Sequence, residues 1–200
     1  MGVGLSKEDW VRAALFAIAD GGAAAVAVEP LAVRLGATKG SFYWHFRNRE
    51  ELIASALESW EREGTDDVIA ELAPVSDPVE RLRRLLGIAI GYEDDDAAGQ
   101  ADVGLLAAAN DPVVGPVLRR VADKRLDFLE RIFSELGFTA GESRQRARVA
   151  YSAFLGWFEL RRVAPHRTPL GGERVAYERA VLNLVLADLP GGSPPGPKVR

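Results

Sequence analysis

Between Thr38 and Phe46 the chain reads TKGSFYWHF, and the five residues Phe42–Phe46 hold four aromatics and a histidine. At about 100° per helical residue these side chains point almost all round the axis. Phe42 and Phe46, one turn apart, can share a buried face. Trp44 then points the opposite way, with Gly40 and Ser41 beside it, while Tyr43 and His45 lie on the flanks. No core can take in every side of one short surface helix. The stretch therefore predicts a helix that presents aromatic, hydroxyl and basic groups to something outside the protein. The surrounding charge narrows the choice. From Leu31 to Arg49 the charged residues are Arg34, Lys39, Arg47 and Arg49, with no acid among them. Such a stretch suits a polyanion, because nearby carboxylates repel phosphates and weaken the counterion-release term. Gly40 allows close approach to a sugar-phosphate wall. Thr38, as a helix cap, leaves amide donors where phosphate is favoured.

Other chemistries find little support. No Ser-His-Asp grouping, phosphate-cradling loop or metal-ligand spacing occurs, and the two histidines, His45 and His166, are far apart. The expectation is a protein that is not an enzyme, with no cofactor and no metal. The acidic run Glu93–Asp96 lacks the glycine and spacing of a calcium loop and reads as a solvated turn. The absence of cysteine excludes disulfides, thiolate catalysis and cysteine-based zinc sites. Residues 1–20 show no secretory pattern, and no uncharged run approaches a membrane span, so a cytoplasmic protein with no membrane partner is expected. The net charge of −4 excludes a globally basic nucleic-acid binder but not a local basic face.

The elements that must position the aromatic helix are legible in order. Ser6 reads as an N-cap with Asp9 at the third helical position, and Val11, Ala14, Leu15, Ile18 and Ala19 form a stripe that Gly21-Gly22 ends. A short helix over about Glu29–Leu35 is closed by Gly36. Thr38 then opens the aromatic helix, which completes a helix-turn-helix, the arrangement whose second helix enters the DNA major groove. Asn48 and Glu51 are spaced as a capping box for a fourth helix running to Thr65 or further, with Asp66–Leu72 as an extension. Further helices are expected from Asp77-Pro78, over about 100–109, over Pro116–Leu136, from Thr139 to about Val163, and over Glu173–Leu189. With no strand pattern, the fold class is all-α, with eight or nine helices. The domains are read as 1–50 for DNA binding, 51–189 for ligand binding and dimerisation, and 190–200 as a disordered tail.

Two features point to the second domain's work. Tyr92, Phe128, Tyr151, Phe154, Trp157 and Phe158 suggest, as a group, a cavity for an apolar or aromatic compound. Ala153, Gly156 and Leu160 on one helix, with Val181, Leu184, Val185 and Asp188 on the last, suggest a four-helix interface across a two-fold axis.

At LAVRLGATKGSFYWHFRNREEL (Leu31–Leu52) the chain resembles the tetracycline-repressor (TetR) family of transcriptional regulators, over about Ser6–Trp60. The resemblance implies an N-terminal three-helix DNA-binding module joined to a larger helical domain with the ligand pocket and dimer interface. It implies a homodimer on double-stranded, palindromic operator DNA, a repressor released by a small-molecule effector. It assigns Thr38, Tyr43 and Arg49 to phosphates, and Lys39, Ser41, Trp44 and His45 to the groove, with Lys39 the candidate for a guanine edge. The chain departs from the pattern at two positions. Ala27 stands where relatives often have a capping Ser or Thr, and Glu29 where some have a basic or polar DNA contact. The alternative reading is a helical module that grips a protein partner without DNA specificity.

Overall fold

The computed structural model describes residues 5–91, 104–167 and 172–190, and all regular structure among them is helical. Tyr92, the acidic run Glu93–Asp96 and the tail beyond Pro190 lie outside the described residues. The chain divides into two compact units, Met1–Val68 with Tyr92–Asp123, and Ile69–Gly91 with Lys124–Arg200.

In the first unit, helix α1 (Lys7–Gly21) starts with a full capping box. The Ser6 hydroxyl accepts from the Asp9 amide, and the Asp9 carboxylate accepts from the Ser6 amide at 2.9 Å. Trp10, Ala14 and Ile18 are fully buried along its inner face. A 3-10 turn, Ala23–Ala25, leads to α2 (Val28–Arg34), whose N-cap Ala27 makes no side-chain bond. Gly36, at φ +63°, makes the turn to α3 (Lys39–His45), a conformation that a Cβ would strain. Helix α4 (Arg49–Glu61) starts at Asn48, whose side chain accepts from the Glu51 amide at 2.8 Å. The expected reciprocal bond does not form. The Glu51 carboxylate reaches one residue further back, where the Arg47 amide and Nε both donate to it, at 2.8 and 3.0 Å.

The fourth helix is not a simple extended rod. A π-helical turn, Arg62–Asp66, joins α4 to α5 (Asp67–Leu72); Glu61 at the end of α4 and Thr65 within the turn are buried. Arg120 donates from Nε to Glu61 at 2.8 Å, so the buried carboxylate is compensated.

The core of this unit is not made by the first sixty residues alone. Leu105, Val114 and Val121, from much later in the chain, join Trp10, Phe42, Leu52 and Trp60 in one cluster. Gly104 makes the approach possible, since a Cβ there would stand 2.4 Å from that of Ala19. Asp111 fastens the same segment. Its carboxylate accepts the amides of Ala23, Val113 and Val114 at 2.8, 2.8 and 3.1 Å. Within this unit α4 packs against α1.

The second unit contains α6 (Pro78–Gly91), the later part of α7 (Val114–Glu135), α8 (Ala140–Val163) and α9 (Gly172–Val185). Thr139 and Glu142 form the expected capping box of α8. Val181 and Val185, assigned above to a dimer face, are instead 5% and 1% exposed, because α9 turns them toward α6 and α8. Arg81, which no apolar pattern announces, is buried, with its guanidinium on the Val75 carbonyl at 2.6 and 2.9 Å and on Glu135.

The Asp111 carboxyl is held below its ordinary value of 3.8, first by the Val113 amide and then by those of Ala23 and Val114, against the opposing effect of burial. A carboxyl depressed on folding contributes stability that is complete above its unfolded pKa and is lost as pH falls toward the folded one. Asp111→Asn should therefore lower the melting temperature at pH 7 and narrow its difference between pH 7 and pH 3, as read by circular dichroism.

Candidate nucleic-acid interface

Helix α3 is anchored by one face. Phe42 and Phe46 are 0% and 2% exposed, stacked at 5.6 Å, and Trp10 meets Phe42 edge-on at 5.4 Å. With that face committed, the helical period drives Trp44 outward, where it is 89% exposed, and leaves Tyr43 57% exposed. Val33 on α2 is exposed as well. Thr38 caps α3 through its hydroxyl, which accepts from the Ser41 amide at 3.2 Å, and Ser41 is half-buried. Gly40 is exposed, and a Cβ there would meet only the Thr38 hydroxyl, at 3.6 Å. Packing within the protein therefore does not require a glycine at this position.

The remaining assigned residues are not free groups. His45 is half-buried, and its Nε2 lies 3.0 Å from the Leu5 carbonyl, which ties the end of α3 to the start of α1. Arg49 turns inward. Its Nε donates to the Val26 carbonyl at 2.6 Å and a terminal nitrogen to the Ala23 carbonyl, so the guanidinium braces the link between α1 and α2. Lys39 pairs with Glu29 across α2 and α3 at 2.6 Å. The hydrogen bond and the charge of Lys39 hold Glu29 below the usual carboxylate range, and Glu29 holds Lys39 above the usual lysine range.

The stretch that is acid-free in sequence is thus not acid-free in space. Glu29, Glu50 and Glu51, all just outside it, pair with Lys39, Arg49 and Arg47. Arg34, exposed on the last turn of α2, has no acidic partner among the described residues. Glu29 was legible as a departure from the family pattern. Its meeting with Lys39 was not, because the two stand ten residues apart.

The aromatic group assigned to a ligand is brought together in part. Tyr151 stacks on Phe154 at 5.9 Å, Phe154 meets Phe158 edge-on at 5.0 Å, and Trp157 stacks on Tyr177 at 5.0 Å. Phe128 is buried in the same unit but pairs with none of these rings, and Tyr92 lies outside the described residues. The Trp157 indole N–H is buried without a hydrogen-bond partner among the described residues. Tyr177, which the sequence reading missed, donates its hydroxyl to the Ala153 carbonyl at 3.1 Å. Its place four residues before Val181, on the inner face of the last helix, was the available signal. Among the described residues no helix is long and apolar enough to cross a membrane.

If Arg49 is a brace rather than a surface cation, Arg49→Gln should destabilise the protein by about 1–3 kcal/mol in urea unfolding, the cost of leaving two part-buried carbonyls short of a charged donor.

Residues 11–56 match the family model for bacterial regulatory proteins of the tetR family. No curated protein matches the chain by sequence. Similar solved structures include a transcriptional regulator from Rhodococcus sp. Rha1, at 19% identity and TM-score 0.70, covering 91% of this chain and 96% of that one. SmeT, repressor of the Stenotrophomonas maltophilia multidrug efflux pump SmeDEF, is 21% identical at TM-score 0.69, with 98% and 96% of the two chains covered. AibR, solved with isovaleryl coenzyme A and operator DNA, is 18% identical at TM-score 0.65, with 89% and 96% covered. Residues 11–56 thus form an N-terminal module of the tetR family of bacterial regulatory proteins, and the chain as a whole shares its all-helical fold with solved transcriptional regulators.

Proposed function

We propose that the protein is a transcriptional repressor that binds a palindromic operator as a homodimer and leaves it when a small molecule binds. The observation that carries this reading is the outward Trp44 and Tyr43 on the second helix of a helix-turn-helix whose other face is buried. In this reading α3 enters the major groove with Trp44, Ser41 and Lys39 toward bases and Tyr43 and Thr38 toward phosphates. Gly40 allows the helix to come close to the backbone. His45 and Arg49 contribute mainly by holding α3 in place, because their polar atoms are engaged within the protein. The site of action is the cytoplasm.

A dimer sets two recognition helices about 34–36 Å apart, one turn of DNA. The exposed apolar residues of α8 and α9, Val149, Leu160, Val163 and Leu184, with Gly156 among them, are the surface proposed for the two-fold contact. The effector is an apolar or aromatic compound held near Tyr151, Phe154, Trp157 and Phe158. It acts only by the difference in its affinity for the two states of the protein. AibR, of like fold, was solved in complex with isovaleryl coenzyme A and operator DNA, so a protein of this fold takes both kinds of partner.

Selection of bound fragments from random DNA should return a palindrome, bound with an affinity that falls steeply as salt rises. Tyr43→Ala should weaken binding to every duplex, and Gly40→Ala should weaken it at least tenfold while leaving the melting temperature unchanged or raised, since glycine within a helix costs about 0.5–1 kcal/mol relative to alanine. Equal, weak binding to any duplex would instead favour a protein-interaction module. Leu184→Asp should convert a dimer to a monomer in light scattering and abolish tight binding to the palindrome. A monomeric parent protein would refute the two-fold contact.

A further inference from the structure

Glu29 lies in the first turn of α2, and Lys39 is the first residue of α3. Their side chains meet at 2.6 Å yet remain 71% and 55% exposed. Lys39 stands one helical turn before Tyr43, so the pair lies on the side of α3 that Tyr43 shows to solvent. A carboxylate near a helix N-terminus has a structural use of its own. Placed on the single lysine of a recognition helix, it also changes what that lysine can recognise.

We infer that Glu29 is a specificity-determining residue, which withholds Lys39 from phosphates and reserves it for a base edge. The inference rests on the DNA-binding reading above. Two opposite unit charges at hydrogen-bond distance present almost no net charge to a phosphate several ångströms away. An uncompensated lysine at this position would add one counterion-releasing contact to every duplex, whatever its sequence. One such contact steepens the dependence of log affinity on log salt by about 0.9, which is roughly eightfold in affinity at 0.1 M. That gain raises non-specific binding and erodes discrimination. The paired ammonium keeps two of its three N–H donors for acceptors such as guanine O6 and N7. The second carboxylate oxygen of Glu29 can accept from a cytosine amino group. The pair thus offers a donor and an acceptor to base edges and no net attraction to the backbone.

The test uses the full chain and two duplexes of equal length, the palindrome recovered by selection and a random sequence, with affinity measured by fluorescence anisotropy from 50 to 200 mM salt. Glu29→Gln should tighten binding to the random duplex roughly eightfold at 0.1 M salt and steepen its salt slope by about 0.9. Binding to the palindrome should gain less, so the ratio between the two falls. The double variant Glu29→Gln/Lys39→Gln should lose the gain on the random duplex. Glu80→Gln, which removes the same charge from a carboxylate shared by Arg83 and Arg84 on α6, should show no such gain. Four results would overturn the proposal: equal gains on both duplexes, a gain that survives in the double variant, the same gain from Glu80→Gln, or a lower melting temperature with binding unchanged. Failure of the unsubstituted protein to bind any DNA is a separate result, and overturns the DNA-binding reading itself.

Discussion

Phe42 and Phe46 set the rotation of α3, and the remaining features of the interface follow from that rotation. Burying two phenylalanines against Trp10 contributes on the order of 1.5–3 kcal/mol each. Exposed ion pairs such as Lys39–Glu29 and Arg47–Glu51 supply far less. The apolar face therefore decides which way the helix turns, and the charged residues adapt to it. Once Phe42 and Phe46 are inside, Trp44 has nowhere to go but solvent, and its 89% exposure is the consequence of its neighbours' burial.

A rotation is useful only if the helix is also held in place. The link between α1 and α2 is gripped at Ala23 from two directions. Arg49 donates to its carbonyl from the start of α4, and Asp111 accepts its amide from a segment 88 residues away. His45 adds a tie from the end of α3 to Leu5. The Asp111 and Arg49 bonds satisfy the Ala23 amide and the Val26 carbonyl, backbone groups of an irregular link, and the Ala23 carbonyl takes the Val26 amide as well as Arg49. Groups of the kind that contact phosphate on a protein surface are here spent on the fold.

The charge pattern illustrates the limit of reading along a chain. Between Leu31 and Arg49 the sequence holds four cations and no acid, yet three of the four meet a carboxylate from just beyond that window. The field felt by a ligand depends on distance in space. A turn between two short helices brings position 29 to position 39, a result that no one-dimensional window contains. Among the described residues Arg34 alone of these four cations lacks an acidic partner, so the helix-turn-helix exposes less uncompensated positive charge than its composition suggests.

Local rules were enough for much of the molecule. Ser6, Thr38, Asn48 and Thr139 cap helices where their types and spacing predict, because a cap is satisfied within three residues. The inward and outward faces of α3 were legible because the helical period is a property of the backbone. Tertiary structure alone decided what those rules leave open. It drew Leu105, Val114 and Val121 into the first core, turned Val181 and Val185 inward, buried Arg81 on a carbonyl and a glutamate, and set Glu29 on Lys39. Each of those outcomes depends on which distant surface a side chain meets. That partner is chosen by packing across the fold, and neither residue type nor spacing encodes it.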